Sequence, residues 1–302
     1  MLNANTPLFM ILPLERFLQM LKNKQNTLVQ PSSWDDPFEK MINKSAIIRG
    51  DLLNYFDNEK KTEVKFNSNN WYGQCWSKSE ESDALWRVFT KNKAQRCVKI
   101  ESSYGLLNRS LDEYKEYCNK KSSAPKAKMF IDEIQYAKSI TDDYAEKLDK
   151  LIKKYRKKTE TLEQCFALSM LLIKRKAFSH EEEIRILAHI DSRERNKLMD
   201  KTVFPYFFNP GDMIVKVELD PWTPAGTEQI IADAINNSNE YLKLKIEKSH
   251  LYEDIPETGG IQFVVTKAKD ERFSLAGPSI ENRPSLELLG RRPIDKKILN
   301  YI

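Results

Sequence analysis

Apolar residues recur along this chain with two periods, and the switches between them mark out its elements. Leu14, Phe17, Leu18 and Leu21 fall at i, i+3, i+4 and i+7, which predicts an amphipathic helix over about 14–23. The run Leu8–Leu12 before it and Thr27–Gln30 after it read as short strands. Trp71–Trp76 predicts another strand, followed by a helix that starts near Ser77–Ser79, capped by Ser77 with Glu80 or by Ser79 with Ser82. Leu85, Trp86 and Phe89 form the apolar stripe of that helix. Arg96–Glu101 alternates as a strand. From 103 to about 172 the period turns helical, with Ile140, Tyr144, Leu148, Leu151, Ile152 and Tyr155 at helical spacing. The loop SSAPKAK, Ser122–Lys128, and a strand-like KMFID interrupt it.

The stretch Lys174–Leu187, KRKAFSHEEEIRIL, dominates the second half. Read as a strand, it places Glu181, Glu183 and Arg185 on one face and Ile184 and Ile186 on the other. Three ionisable groups on one face of a β-branched strand demand polar partners if they are buried. A solvent-facing edge strand with alternating charges fits the same spacing. Residues 191–202 read as loop or helix, Met213–Leu219 and Tyr241–Glu247 as strands, Thr227–Ile235 as a short helix and IQFVVTK as a last strand. No periodic pattern organises 42–70. Together these elements predict an α+β fold with a mixed, mainly antiparallel sheet. They outline a single domain over 1–255 carrying a helical insertion at about 103–172, and a C-terminal extension over 256–302.

Composition narrows the chemistry. The 302 residues carry 49 Lys and Arg against 44 Asp and Glu, a net charge of +5 that permits an anionic partner without requiring one. No apolar run approaches the ~20 residues of a membrane span, and the N-terminus lacks a basic n-region, so a cytoplasmic protein with no membrane partner is expected. Four scattered cysteines and three histidines form no metal-ligand spacing. No Rossmann glycine fingerprint, Walker A loop, nucleophile elbow or HExxH is present. The basic run KLDKLIKKYRKK reads as a solvated helix face or a nucleic-acid groove. Asp35, Asp36 and Glu39 cluster in the turn PSSWDDPFEK, as a helix N-terminus or as part of a site.

The order of these motifs resembles the bacterial domain-of-unknown-function family 2971. The resemblance is carried by WDDPFE at Trp34–Glu39, then Cys75-Trp76-Ser77 leading into a tryptophan-bearing helix, then Lys174, Phe178, Glu181, Glu183 and Arg185. Val217–Pro221 and Ile246–Leu251 continue the series. Its motif order is similar to that of ADP-ribosyltransferases, which implies an ADP-ribosyltransferase-like fold and NAD as the donor substrate. The resemblance implies that Glu183 stabilises the ribosyl cation and that Glu181 orients the acceptor. Ser77, Ser79, Arg185 and Lys174 would serve nucleotide binding, with a protein or nucleic-acid acceptor and a toxin or phage-defence role. Where the family carries a basic residue on its first strand, this chain has Met10, for which Arg16 or Arg49 would have to substitute. Two other classes fit the residues: a metal-dependent nuclease using Asp36, Glu39, Glu181 and Glu183, and a non-catalytic nucleotide- or nucleic-acid-binding module working through the basic helix near Lys153 and Arg156.

Overall fold

A computed structural model describes residues 2–34, 36–37, 39, 46–48, 62–64, 68–90, 96–139, 143–224, 226, 228–237, 244–252, 264–267 and 273–276. Asp35, Arg49, Ile140 and residues 241–243 and 261–263 lie outside them. The chain divides into two compact units, 1–251 and 252–302. In chain order the first contains β1 (Pro7–Pro13), α1 (Leu14–Asn23), β2 (Gln25–Val29), β3 (Ala46–Ile48), β4 (Thr62–Val64), β5 (Trp71–Ser77), α2 (Asp83–Phe89), β6 (Cys97–Ser103) and α3 (Tyr104–Lys120). There follow β7 (Lys128–Glu133), β8 (Gln135–Ala137), α4 (Tyr144–Tyr155), α5 (Leu162–Met170), β9 (Ile173–Arg175), β10 (Glu183–His189), α6 (Ser192–Arg195) and β11 (Val203–Phe207). The unit closes with α7 (Pro210–Met213), β12 (Lys216–Leu219), α8 (Glu228–Asn237) and β13 (Lys245–Lys248). The second unit contains the antiparallel pair β14 (Val264–Lys267) and β15 (Phe273–Ala276).

The fold is α+β with a mixed, mainly antiparallel sheet. Among the described residues nine strands join in one sheet, in the order β11-β2-β5-β1-β6-β12-β13, with β10 and then β7 branching from β5. Only β12 and β13 run parallel within it. β5 is the branch point. One edge pairs along its whole length with β10, from Trp71↔His189 to Ser77↔Glu183. The other edge meets β2 at a single bridge, Val29↔Gly73, and β1 at another, Phe9↔Ser77. Between those bridges the sheet splits, because α1 carries the chain across from β1 to β2.

Burial explains the composition of these strands. Leu8, Met10 and Leu12 of β1 enter the main core with Phe17 and Leu21 of α1, while Ile11 packs with Leu85 and Trp86 of α2. Both faces of β1 are therefore covered, which is why LFMIL is continuously apolar. Ile184 and Ile186 of β10 join the same core as Trp76. Helices α4 and α5 build a second cluster around Trp71 and Leu187.

Several expectations change. The strand-like KMFID within 103–172 is β7, as expected, but it pairs with β10 in the main sheet, so the segment is not a helical insertion: α3, α4 and α5 flank β7 and β8. The helix expected near Ser77 starts instead at Asp83, with the Ser82 hydroxyl accepting from Leu85 N at 3.3 Å. Ser77 is unavailable as a cap because it remains in β5. Pro210 opens a helical turn that delays the expected 213–219 strand to Lys216. Strand β11 escaped the periodicity argument; its VFPYF carries a proline, tolerated because β11 lies at the sheet edge and pairs with β2 alone. No helix among the described residues is long and apolar enough to cross a membrane.

Gly73 marks a close approach. A Cβ built there would lie 2.6 Å from the Trp34 indole and 3.0 Å from Leu187. Gly73→Ala is expected to destabilise the protein by about 1–3 kcal/mol through overpacking, outweighing the ~0.4–1 kcal/mol gained from the unfolded chain. Urea unfolding of the variant measures the net effect; a stabilised variant would mean that Trp34 does not sit on β5.

Candidate functional site

Glu183 and Arg185 occupy one face of β10, opposite Ser77 and Cys75 on β5. Because β10 lies between β5 and β7, it is not the solvent-facing edge strand that its charges allow. Nor do 174–187 form one strand. After β9, residues Lys176–Glu181 form a 3-10 turn, and Glu182 turns the chain in the left-handed region with φ 44°. That conformation costs a non-glycine residue about 1–2 kcal/mol. Three bonds offset it: Glu182 N donates to Ser179 O, Lys78 N donates to Glu182 O at 3.1 Å, and the Ser77 hydroxyl donates to Glu181 O at 2.7 Å. Glu181 thus reaches the site from the turn, not from the strand face.

Charges converge on Glu183, which is 1% exposed. Arg185 Nε donates to Glu183 Oε1 at 2.7 Å, and Lys174 Nζ donates to Glu183 Oε2 at 3.0 Å and Glu181 Oε2 at 2.6 Å. Arg185 also donates to Glu39 Oε1 at 2.5 Å and to Leu171 O at 2.6 Å, and its guanidinium stacks 4.2 Å from the Trp34 ring centre. Glu183 N donates to the Tyr136 hydroxyl at 2.8 Å. Beside this group Arg175 binds Asp36 through Nη2 at 2.7 Å and Nε at 3.3 Å, and the Phe178 ring lies against Lys174 and Arg175. Glu39, Glu181 and Glu183 against Lys174 and Arg185 are three carboxylates to two cations, leaving one net negative charge when all are ionised.

The WDDPFE turn and the ExExR stretch therefore form one network, with Asp36 and Glu39 as counter-ions of Arg175 and Arg185. The carboxylates of the nuclease reading are each held by a cation, and a divalent ion would have to displace those pairs. Among the described residues no group of three or more His, Cys, Asp or Glu is placed to hold a metal.

A cleft of about 320 Å³ opens where the sheet splits, at the lower end of the ~300–1,000 Å³ usual for small-molecule sites. Ser77, Ser79, Glu181 and Glu183 line it, with Met10, Cys75, Trp76, Trp86 and Lys99. Lys174 and Arg185 stand behind the carboxylates, outside the lining. The Ser77 hydroxyl is occupied: it donates to Glu181 O and accepts from Ser79 N at 2.9 Å, clasping the turn to β5. Met10 is buried in β1, and two cations line the cleft near it: Lys99, cross-strand partner of Ile11, and Arg16 of α1, which is exposed on the cleft wall. Cys75 is a poor nucleophile, since burial and then Glu183 push its thiol above its ordinary value.

Sequence reasoning passed over Lys99. It is 5% exposed, donating to Glu80 O at 2.6 Å and Glu81 Oε2 at 3.2 Å, and pairs with Glu218 Oε1 at 2.7 Å, with the Phe9 and Trp86 rings alongside. A lysine within an alternating β6 gave no signal of such burial. Tyr136, whose hydroxyl accepts from Glu183 N, was likewise unmarked, whereas Trp34 stood in the WDDPFE motif without a role of its own. The basic run of α4 is mostly neutralised: Lys147, Lys150 and Lys153 pair with Asp143, Glu146 and Asp149 one turn earlier, and Lys154 pairs with Asp132.

No protein-family model matches this chain, and neither a curated protein nor a solved structure matches it. The likeness to family 2971 rests on the motif series alone.

Burial by itself would raise the Glu183 carboxyl, but Arg185 and Lys174 outweigh it and hold it below the ordinary glutamate value. Burial would lower Lys174, and Glu183 with Glu39 drive it above its ordinary value instead. A depressed carboxyl stabilises the fold above its unfolded pKa, ~4.3, and that contribution is lost as pH falls through the folded value. A raised lysine stabilises below ~10.4 and loses its contribution as pH rises through its folded value. Glu183→Gln, which leaves buried cations short of a partner, should therefore cost about 3–5 kcal/mol at neutral pH, with the deficit shrinking below pH ~4. Urea unfolding of both proteins across pH checks this; a deficit constant through the acid range would contradict it.

Proposed function

We propose that the split-sheet cleft binds a nicotinamide nucleotide and that the chain is an ADP-ribosyltransferase-like enzyme with NAD as donor substrate. One observation carries the reading: Ser77 and Glu183 are direct cross-strand partners at the cleft, with Ser79 and Glu181 beside them. The serine motif and the ExE motif, some hundred positions apart in the chain, thus meet in one place. The fit of the residues to the donor supports it. The accessible aromatic lining residues Trp34 and Phe89 suit a flat pyridinium ring, and the net negative cluster favours a cationic one. The Ser79 side chain makes no hydrogen bond with a described residue and faces the same space.

The chemistry this geometry suits is heterolysis of the bond between C1′ of the ribose and the nicotinamide nitrogen. The bonding pair leaves with nicotinamide and positive charge develops on the ribose. Glu183, fixed by Arg185 and Lys174, supplies a carboxylate that needs no reorganisation to stabilise that charge. An acceptor lone pair then bonds to C1′, and its proton passes to Glu181, the more accessible carboxylate. Arg185 and Lys174 are positioning residues in this scheme, holding Glu183 ionised instead of touching the nucleotide.

A second reading, a nucleotide-binding module without turnover, is favoured by one observation: both Glu183 oxygens are already engaged by cations. A toxin or phage-defence setting rests on the family resemblance alone.

Incubation with labelled NAD and cell lysate distinguishes the readings. The enzyme reading expects label transfer with nicotinamide release, reduced about 10²–10³-fold in Glu183→Gln and also diminished in the better tolerated Glu181→Gln. NAD binding without nicotinamide release would favour the module, and absence of both binding and release would overturn the nucleotide assignment.

A further inference from the structure

The walls of the cleft differ in how far their polar groups are committed. Glu181 and Glu183 are held by Lys174 and Arg185, and Lys99 is surrounded by Glu80 O, Glu81 and Glu218. Beneath them Asn26 and Gln74 satisfy each other reciprocally at 2.8 Å in both directions. The α1 wall is different. Arg16, Gln19 and Asn23 stand at i, i+3 and i+7, which places them on one face of the helix. All three line the cleft and are exposed, and none of their side chains makes a hydrogen bond or ion pair with a described residue.

We propose that this face of α1 is the phosphate-binding wall of the cleft, with Arg16 as the residue that selects a nucleotide over a nucleoside. The inference rests on the nucleotide reading above and adds an orientation to it. The pyridinium riboside lies toward Glu181 and Glu183, and its 5′-phosphate lies toward Arg16, with Gln19 and Asn23 donating amide hydrogens to phosphate and sugar oxygens. Charge supports this polarity, because the carboxylate end has one net negative charge and Arg16 supplies a positive one at α1. A ligand with a cationic ring and an anionic phosphate matches both ends. Arg16 can engage phosphate without breaking an existing pair, and its planar donor fork suits phosphate oxygens. Lys99 would first have to abandon two acceptors and its ion pair with Glu218. The apolar Met10 on β1 leaves α1 as the source of the contact.

Calorimetric titration of the full chain with nicotinamide mononucleotide and with nicotinamide riboside tests the proposal. Wild type should bind the mononucleotide about tenfold tighter or more, the worth of one charged hydrogen-bonding contact. Arg16→Ala should bring the two affinities together while leaving riboside binding and the thermal midpoint unchanged. A mononucleotide preference that survives in Arg16→Ala, or equal binding of the two ligands by wild type, would overturn the phosphate wall while leaving riboside binding at Glu183 intact. If wild type binds neither ligand, the nucleotide reading falls and this inference falls with it.

Discussion

The buried pairing of Arg185 with Glu183 is the constraint on which the rest of this structure depends. Both side chains are 1% exposed, and an unpaired charge at that depth would cost several kcal/mol. Each needs further partners, and their positions account for much of the chain around them. Arg185 requires Glu39 and Leu171 O, so the acidic turn after β2 and the end of α5 are drawn to β10. Glu183 requires Lys174, which fixes β9 beside it and in turn holds Glu181. The left-handed turn at Glu182 follows, since only a reversal there brings Glu181 back to Lys174.

That network also explains where the cleft lies. β10 must remain paired along β5 to present Glu183 beside Ser77, leaving β5 one free edge. β1 and β2 each touch this edge only once, four residues apart at Ser77 and Gly73. The gap between them exposes carboxylates on one side and α1 on the other. A structural ion-pair cluster and a candidate reaction site therefore share the same residues: what stabilises the fold also fixes the carboxylate and keeps it ionised.

How far the chain could be read from its sequence follows from which forces act locally. Helix α1 and strands β1, β5 and β6 were visible because their apolar spacing and their burial coincide. The α+β class followed from the order of such segments. Grouping Glu181, Glu183 and Arg185 was also possible, because three charges among β-branched residues is an uneconomical pattern without partners. Their arrangement was not legible. A two-residue period cannot show that Lys176–Glu181 coils into a 3-10 turn, since tertiary bonds from Ser77 and Lys78 hold it. Ser77 looked like a helix cap because capping is a local rule, whereas its actual acceptor, Glu181 O, lies 104 residues away. Lys99 gave no sign of burial because its partners come from the segment after β5 and from β12.

The account stands on Glu183 being an ionised carboxylate held at the cleft by two cations. Carboxyl carbon NMR of Glu183, followed through an acid titration and assigned by comparison with Glu183→Gln, tests this most directly. The account predicts a midpoint below the ordinary glutamate value of ~4.3. A midpoint at or above that value would contradict it, because burial would then outweigh Arg185 and Lys174 and the carboxyl would not be the fixed anion that both the fold and the proposed chemistry require.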